Sequence, residues 1–252
     1  MQSGNYLLKP LLFFLLPWLL VKSALAADTL PDSFTATYAV NKGVITLAYI
    51  TRSLKSLGNG EYQFESLSKP SALARMITDG DVLERSTWRM IDNYPRPEIY
   101  YYKNTTKRKR EVKLLFDWKS KKVTNIINGD PWKMELDPGV QDKLLYQLTL
   151  MLDLSRNEQK LEYQVADGGS IKVYSASIIG KKTIQTEVGK FDTVAVQRKS
   201  SSRTTTFWCA PRLDYLPIVI EHLTSSGGHL EARLIDIKGF NYTPPPKKDS
   251  DF

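Results

Sequence analysis

The sequence predicts a mainly β fold: a large curved antiparallel sheet or open barrel with one central α-helix packed on it. Three observations carry this expectation. Apolar residues recur with a period of two in segment after segment. Turn-forming glycine and asparagine separate those segments, and only one long stretch has a helical stripe. Period two means one face buried and one wet, the habit of antiparallel sheets.

Residues 1–26 read as a secretory signal peptide rather than as part of the fold. Lys9 gives a weak positive start, Leu11–Val21 is almost continuously apolar, and Ala24-Leu25-Ala26 fits a small-residue cleavage box. The apolar run is shorter than the ~20 residues a bilayer span needs. No other long apolar run follows, so the mature chain is expected to be exported, periplasmic and without a transmembrane segment. Residues 27–242 are expected to form a single β-rich domain, since no Pro/Gly/Ser-rich linker divides them.

The strands follow in order. Phe34, Ala36, Tyr38 and Val40 alternate with smaller or polar residues, and Ile45, Leu47 and Tyr49 continue the period. Val112, Leu114, Phe116 and Trp118 share a face opposite Glu111, Lys113 and Asp117; Leu216, Ile218 and Ile220 repeat the pattern. Asn59-Gly60, Asp79-Gly80, Asn128-Gly129, Asp167-Gly168-Gly169 and Ser226-Gly227-Gly228 mark turns. The first strand series is placed near 33–40, 44–54, 61–68, 82–90, 97–104, 109–118 and 122–127. The second is placed near 160–166, 171–179, 182–187, 190–199, 203–210, 216–224 and 229–237.

One segment departs from this period. Leu144, Leu145, Leu148, Met151 and Leu152 form a helical stripe, with Asp137 as a cap and Pro138 at the first helical position. That helix, Lys143–Leu152, is expected to lie across a sheet face. A shorter helical turn is expected at Ser71–Ile77. Residues 243–252, with three consecutive prolines and then Lys247-Lys248, read as a disordered tail.

Composition excludes several chemistries. One cysteine rules out an intrachain disulfide framework, and two histidines leave little for metal ligation. No metal and no cofactor is expected. There is no G-x-S-x-G elbow, no phosphate-binding glycine loop and no H-E-x-x-H, so no catalytic residue is assigned. Removing the leader takes away Lys9 and Lys22, leaving 33 basic against 27 acidic residues. That surplus suits an anionic envelope polymer or lipid headgroups; nucleic acid is not an expected partner of a secreted protein. Cys209 reads as a small buried hydrophobe.

The runs Phe34-Thr35-Ala36-Thr37-Tyr38, Leu83–Trp88 and Phe116-Asp117-Trp118 form an ordered set with three later ones. These are Gly189–Val194, Phe207–Pro211 and Tyr215-Leu216-Pro217. Together they resemble the bacterial periplasmic domain-of-unknown-function family 3108. The resemblance implies export to a bacterial periplasm and an outline similar to secreted proteins that wrap a sheet around a helix. It implies no reaction and no catalytic residues.

Two sets of binding residues are nominated. Tyr38, Tyr49, Phe64, Trp88 and Trp118 would line a concave aromatic surface for a lipid, another apolar ligand or an envelope protein. Lys107, Arg108, Lys109 and Arg110 form the centre of the basic segment 103–113 and would bind anionic groups. The expected function is a non-enzymatic envelope protein that binds an apolar ligand or partner. The alternative is a cell-wall glycan hydrolase or transferase with a carboxylate pair that carries no motif.

Overall fold

The first half of the chain folds strand after strand, each hydrogen-bonded to the one before it. In this computed structural model, which describes residues 30–77 and 79–243, eight strands make up this first meander. They are β1 (Phe34–Lys42), β2 (Ile45–Gly58), β3 (Glu61–Pro70), β4 (Val82–Ile91), β5 (Tyr94–Asn104), β6 (Arg110–Asp117), β7 (Lys122–Ile127) and β8 (Asp130–Glu135). A one-turn helix, α1 (Ala72–Arg75), interrupts the meander after β3. The leader read over residues 1–26 and the tail beyond Thr243 lie outside the described residues.

A short strand, β9 (Gln141–Asp142), then leads into the long helix α2 (Tyr146–Ser155). The second meander follows: β10 (Leu161–Asp167), β11 (Ser170–Thr186), β12 (Gly189–Lys199), β13 (Arg203–Ala210), β14 (Leu216–Thr224) and β15 (His229–Lys238). Strand β15 returns to pair antiparallel with β1, which joins the two meanders into one 15-stranded sheet with β8 and β9 at its edges. Among the described residues only the β9–β10 pairing is parallel.

The ladder stays open, but the sheet curls far enough for its ends to touch other strands. On β9, Gln141 donates through Nε2 to Pro95 O on β5 (2.9 Å), and Asp142 Oδ2 accepts from Ser86 Oγ on β4 (2.5 Å). On β8, Trp132 Nε1 donates to Gly169 O in the β10–β11 turn (3.3 Å). Gly169 has φ +90°, and a Cβ there would lie 2.2 Å from the Trp132 ring, so this approach requires glycine.

Helix α2 fills the curl. Leu148, Leu150, Met151, Leu152 and Leu154 are all buried, as are Tyr146, Thr149 and Asp153. The expected stripe is therefore too narrow a description: the helix is surrounded by sheet, as an all-round apolar helix should be. It also begins later than Lys143 and is not capped by Asp137. Asp142 Oδ1 instead accepts from the N–H groups of Leu144 (2.8 Å) and Leu145 (2.7 Å), satisfying donors at the entry to the helix.

Two other boundaries differ from the sequence reading. Strand β11 runs unbroken where two strands were expected; a register shift between Ile178 and Gly180 leaves Ile179 as a bulge, and Gly180 stays paired with Ala195. Strands β8 and β9 were not expected: β8 is mostly exposed, with an apolar alternation of only Trp132 and Met134, and β9 is two residues long. The short helix at Ser71 forms as expected, with Ser71 Oγ accepting from Ala74 N (3.2 Å).

Candidate functional site: an apolar cleft at the mouth of the curled sheet

The inner face of the sheet can be followed by register. Phe64 pairs with Ser86, and four residues further along the same strands Ser68 pairs with Val82. On the other side of β3, Ala48 pairs with Pro70 and Ile50 with Ser68. Even spacing keeps all of these on the face that carries the core. Toward this end the inner face leaves the packed core and becomes an open cleft of about 530 Å³. Ile45, Leu47, Ala48, Pro70 and Val82 line it from the strands, and Leu73, Ala74 and Ile77 line it from α1 and the turn after it.

Local chemistry sets α1 over the mouth. Ser71 donates from its N–H to Leu47 O (2.9 Å) and from Oγ to Thr46 O (2.8 Å), which fixes the chain as it leaves β3. The next residues are apolar yet uncovered: Leu73 is 58% exposed, Ile77 76% and Met76 83%. Single exposed apolar side chains are ordinary, but a contiguous group around an apolar cleft is not. The lining residues carry no titratable group, so the cleft offers contact area and shape rather than acid–base chemistry.

The five aromatic residues nominated from sequence do not form one surface. Tyr38, Phe64 and Trp88 are closed into the core. Tyr38 donates its hydroxyl to Pro217 O (2.9 Å), Phe64 packs on Phe34 at 6.0 Å, and Trp88 stacks on Tyr62 at 4.7 Å. Tyr49 pairs with Ala39 and Lys69 on the outer face and is exposed. Trp118 is half-buried at the opposite end, stacked on Phe116, with Nε1 donating to Pro97 O (2.8 Å). It lines a separate pocket of about 390 Å³ with Arg96, Lys121 and Gln141 among its walls.

The basic residues do gather. Lys107, Arg108, Lys109 and Arg110 are exposed at the β5–β6 turn, and among the described residues none of the four is in an ion pair. Lys109 and Arg110 line an open groove of about 830 Å³ with Lys103, Lys113, Asn128 and one acid, Glu111. This turn adjoins the cleft: Thr106 lines it, Thr105 N donates to Asp81 O (3.0 Å), and Asp81 N donates to Thr105 Oγ1 (2.8 Å). Gly80, at φ +103°, sits where a Cβ would lie 2.6 Å from the Thr105 backbone.

The remaining polar groups of interest are absorbed by the fold. Asp142 is fully buried, and both its oxygens are used by Ser86, Leu144 and Leu145. Burial pushes its carboxyl up to about 6, partly opposed by those three hydrogen bonds. Glu84 accepts from the Tyr100 hydroxyl (2.9 Å) and faces Lys143 at 3.6 Å. Cys209 pairs with Pro217, whereas His222 pairs with Thr205, so the thiol and imidazole occupy different rungs. Burial pushes the Cys209 thiol pKa up, which keeps it a thiol. Among the described residues no three of His, Cys, Asp and Glu cluster as metal ligands, and no helix is long and apolar enough to cross a membrane.

The architecture has a solved counterpart. The chain is similar to a β-barrel-like protein of the domain of unknown function DUF1849 from Brucella abortus, with a TM-score of 0.55 at 8% identity. That match covers 84% of this chain and 99% of the other. It also matches a Bacteroides fragilis protein described as exported and YmcC-like in fold, with a TM-score of 0.33 at 8% identity. Coverage there is 83% of this chain and 97% of the other. At these identities the first likeness speaks to the fold alone. No curated protein matches the chain. A family model does, that of the proteins of unknown function DUF3108, over residues 33–235, and the chain belongs to that family.

Proposed function

We propose that this is an exported envelope protein that holds an apolar ligand, such as an acyl chain, in the cleft under α1. The observation that carries the proposal is the cleft itself. It is a concavity of ligand size, walled by Ile45, Leu47, Pro70, Leu73, Ile77 and Val82, at one end of a core that α2 fills. The signal-like leader in the sequence supports export, and the lack of titratable groups in the cleft supports binding rather than catalysis.

The test is titration of the mature protein with a fluorescent fatty-acid probe. Saturable binding is expected. Leu73→Asp places a charge in the wall at an exposed position and is expected to weaken binding ~10-fold or more, the scale of burying one aliphatic side chain. Tyr49→Ala, on the outer face, is expected to leave affinity within about twofold of the parent. Absence of saturable binding by the folded parent protein would overturn the reading.

A further inference from the structure

The end of the sheet that carries the cleft combines two exposed features on neighbouring turns. The first is an apolar crest. Val44, at the β1–β2 turn, is fully exposed, and Leu73, Met76 and Ile77 stand largely clear of the surface on α1 and the turn after it. These two turns adjoin, since Ser71 at the head of α1 bonds to Thr46 and Leu47 just after Val44. The second is a cationic flank. Lys42 and Arg75 are exposed within the crest, and Lys107, Arg108, Lys109 and Arg110 stand on the neighbouring turn. That turn is tied to the α1–β4 loop by the reciprocal Thr105–Asp81 bonds and by its close approach to Gly80. The acids on this loop are Asp79 and Asp81, and Asp79 Oδ1 already accepts from Gly80 N (2.8 Å).

We propose that this rim docks on a bilayer surface rich in anionic lipid headgroups. The apolar side chains enter the interface and the six cations engage the headgroups. The proposal rests on the reading that the cleft is the ligand-binding end, and it adds that the ligand's entrance faces the membrane. The charge complementarity is specific to this occupant: six like charges flank apolar residues borne on turns, not on a flat sheet face. Turn-borne apolar residues can insert between headgroups without needing a matching partner surface. Cations beside them draw the protein to an anionic leaflet through a field that needs no fixed register.

The experiment is co-sedimentation of the mature protein with two kinds of vesicle, phosphatidylcholine alone and phosphatidylcholine mixed with phosphatidylglycerol. Binding to the mixed vesicles is expected to be ~10-fold or more tighter than to the neutral ones and to weaken as salt is raised. Two double variants dissect it. Met76→Glu with Ile77→Glu removes the crest, and Lys107→Glu with Arg108→Glu reverses part of the flank. Each pair is exposed, and each variant is expected to bind vesicles ~10-fold or more weakly while keeping the parent circular dichroism. Ile179→Glu, an exposed apolar position on β11, is the control and should bind vesicles as the parent does.

Equal binding to both vesicle types would overturn the proposal, as would binding unchanged in both double variants. No binding at all would overturn it too and leave the crest to a protein partner. Probe titration separates this from the function proposed above. Lys107→Glu with Arg108→Glu should keep fatty-acid probe binding while losing vesicle binding. Intact probe binding with no vesicle binding in the parent removes the docking face and leaves the ligand cleft standing.

Discussion

Leu150→Ala is expected to cost about 3–5 kcal/mol of unfolding free energy, measured by urea denaturation of the mature protein. The size of the effect follows from where Leu150 sits. It is off the stripe formed by Leu144, Leu145, Leu148, Met151 and Leu152, so a helix lying on a sheet with one face wet would leave it exposed and its truncation nearly neutral. In the structure it is 1% exposed, because the sheet passes around the helix on that side as well. Truncating it removes buried methyl groups and leaves a void that neighbouring strands can only partly fill. A destabilisation below about 1 kcal/mol would mean that the helix packs on one face only.

The second large effect is in the pH dependence of stability. Burial raises the Asp142 carboxyl from its ordinary 3.8 to about 6. A group whose folded pKa is raised is fully stabilising below its unfolded pKa, and that contribution is lost as pH rises through the folded value. The ionised carboxylate therefore costs about 2–3 kcal/mol above pH 6 relative to pH 4. Asp142→Asn keeps an acceptor for the Leu144 and Leu145 N–H groups and never ionises. It is expected to be more stable than the parent by about that amount at pH 8 and equal to it near pH 4.

His222 works in the opposite sense. Burial, helped by Arg203, Arg52 and Arg198, pulls its imidazole from 6.5 down to about 4. Its contribution is complete above pH 6.5 and lost as pH falls through 4. In the parent protein the two groups oppose one another between pH 6 and 4. Asp142→Asn is thus expected to show a steeper acid destabilisation than the parent, and adding His222→Gln should remove that extra slope. The measurement is the urea midpoint of the three proteins at intervals from pH 4 to pH 8. A parent and an Asp142→Asn variant with parallel profiles would show that Asp142 ionises normally in the fold.

Much of the architecture was legible in the sequence because a half-wet strand leaves a direct trace. Phe34, Ala36 and Tyr38 in β1 and Val112, Leu114 and Phe116 in β6 alternate in the sequence and are buried in the structure. The mostly antiparallel habit and the single long helix follow from the same pattern. The parts that were not legible leave no such trace. Strand β8 has only Met134 partly buried against the core to mark it, and β9 is two residues long. The break expected between 179 and 182 is a bulge at Ile179 with Gly180 still paired, a difference that lies in register with β12.

The candidate site was less legible, for a physical reason. Sequence alternation identifies aromatic residues that face inward, but it cannot tell a closed interior from an open one. Tyr38, Phe64 and Trp88 were nominated because they face inward, and they do so in the part of the curl that the core and α2 fill. Tyr49 follows Ile45 and Leu47 in a regular alternation, yet a shift in the β1–β2 register between Val40 and Asn41 breaks the simple count of faces. The signal for the cleft was present in Leu73, Met76 and Ile77. These are three apolar residues in and just after a helix too short to bury them, beside a basic turn.

The most direct test of the account is to locate a bound acyl chain on the mature protein. A photoactivatable fatty acid, cross-linked at saturation and mapped by mass spectrometry after proteolysis, reports which end of the curled sheet holds it. Cross-links are expected on the peptides that carry Ile45–Ala48 and Leu73–Ile77, and competition by unlabelled fatty acid should remove them. Cross-links confined to the peptides around Trp118 and Arg96, at the opposite end, would contradict the assignment of the ligand to the mouth beneath α1.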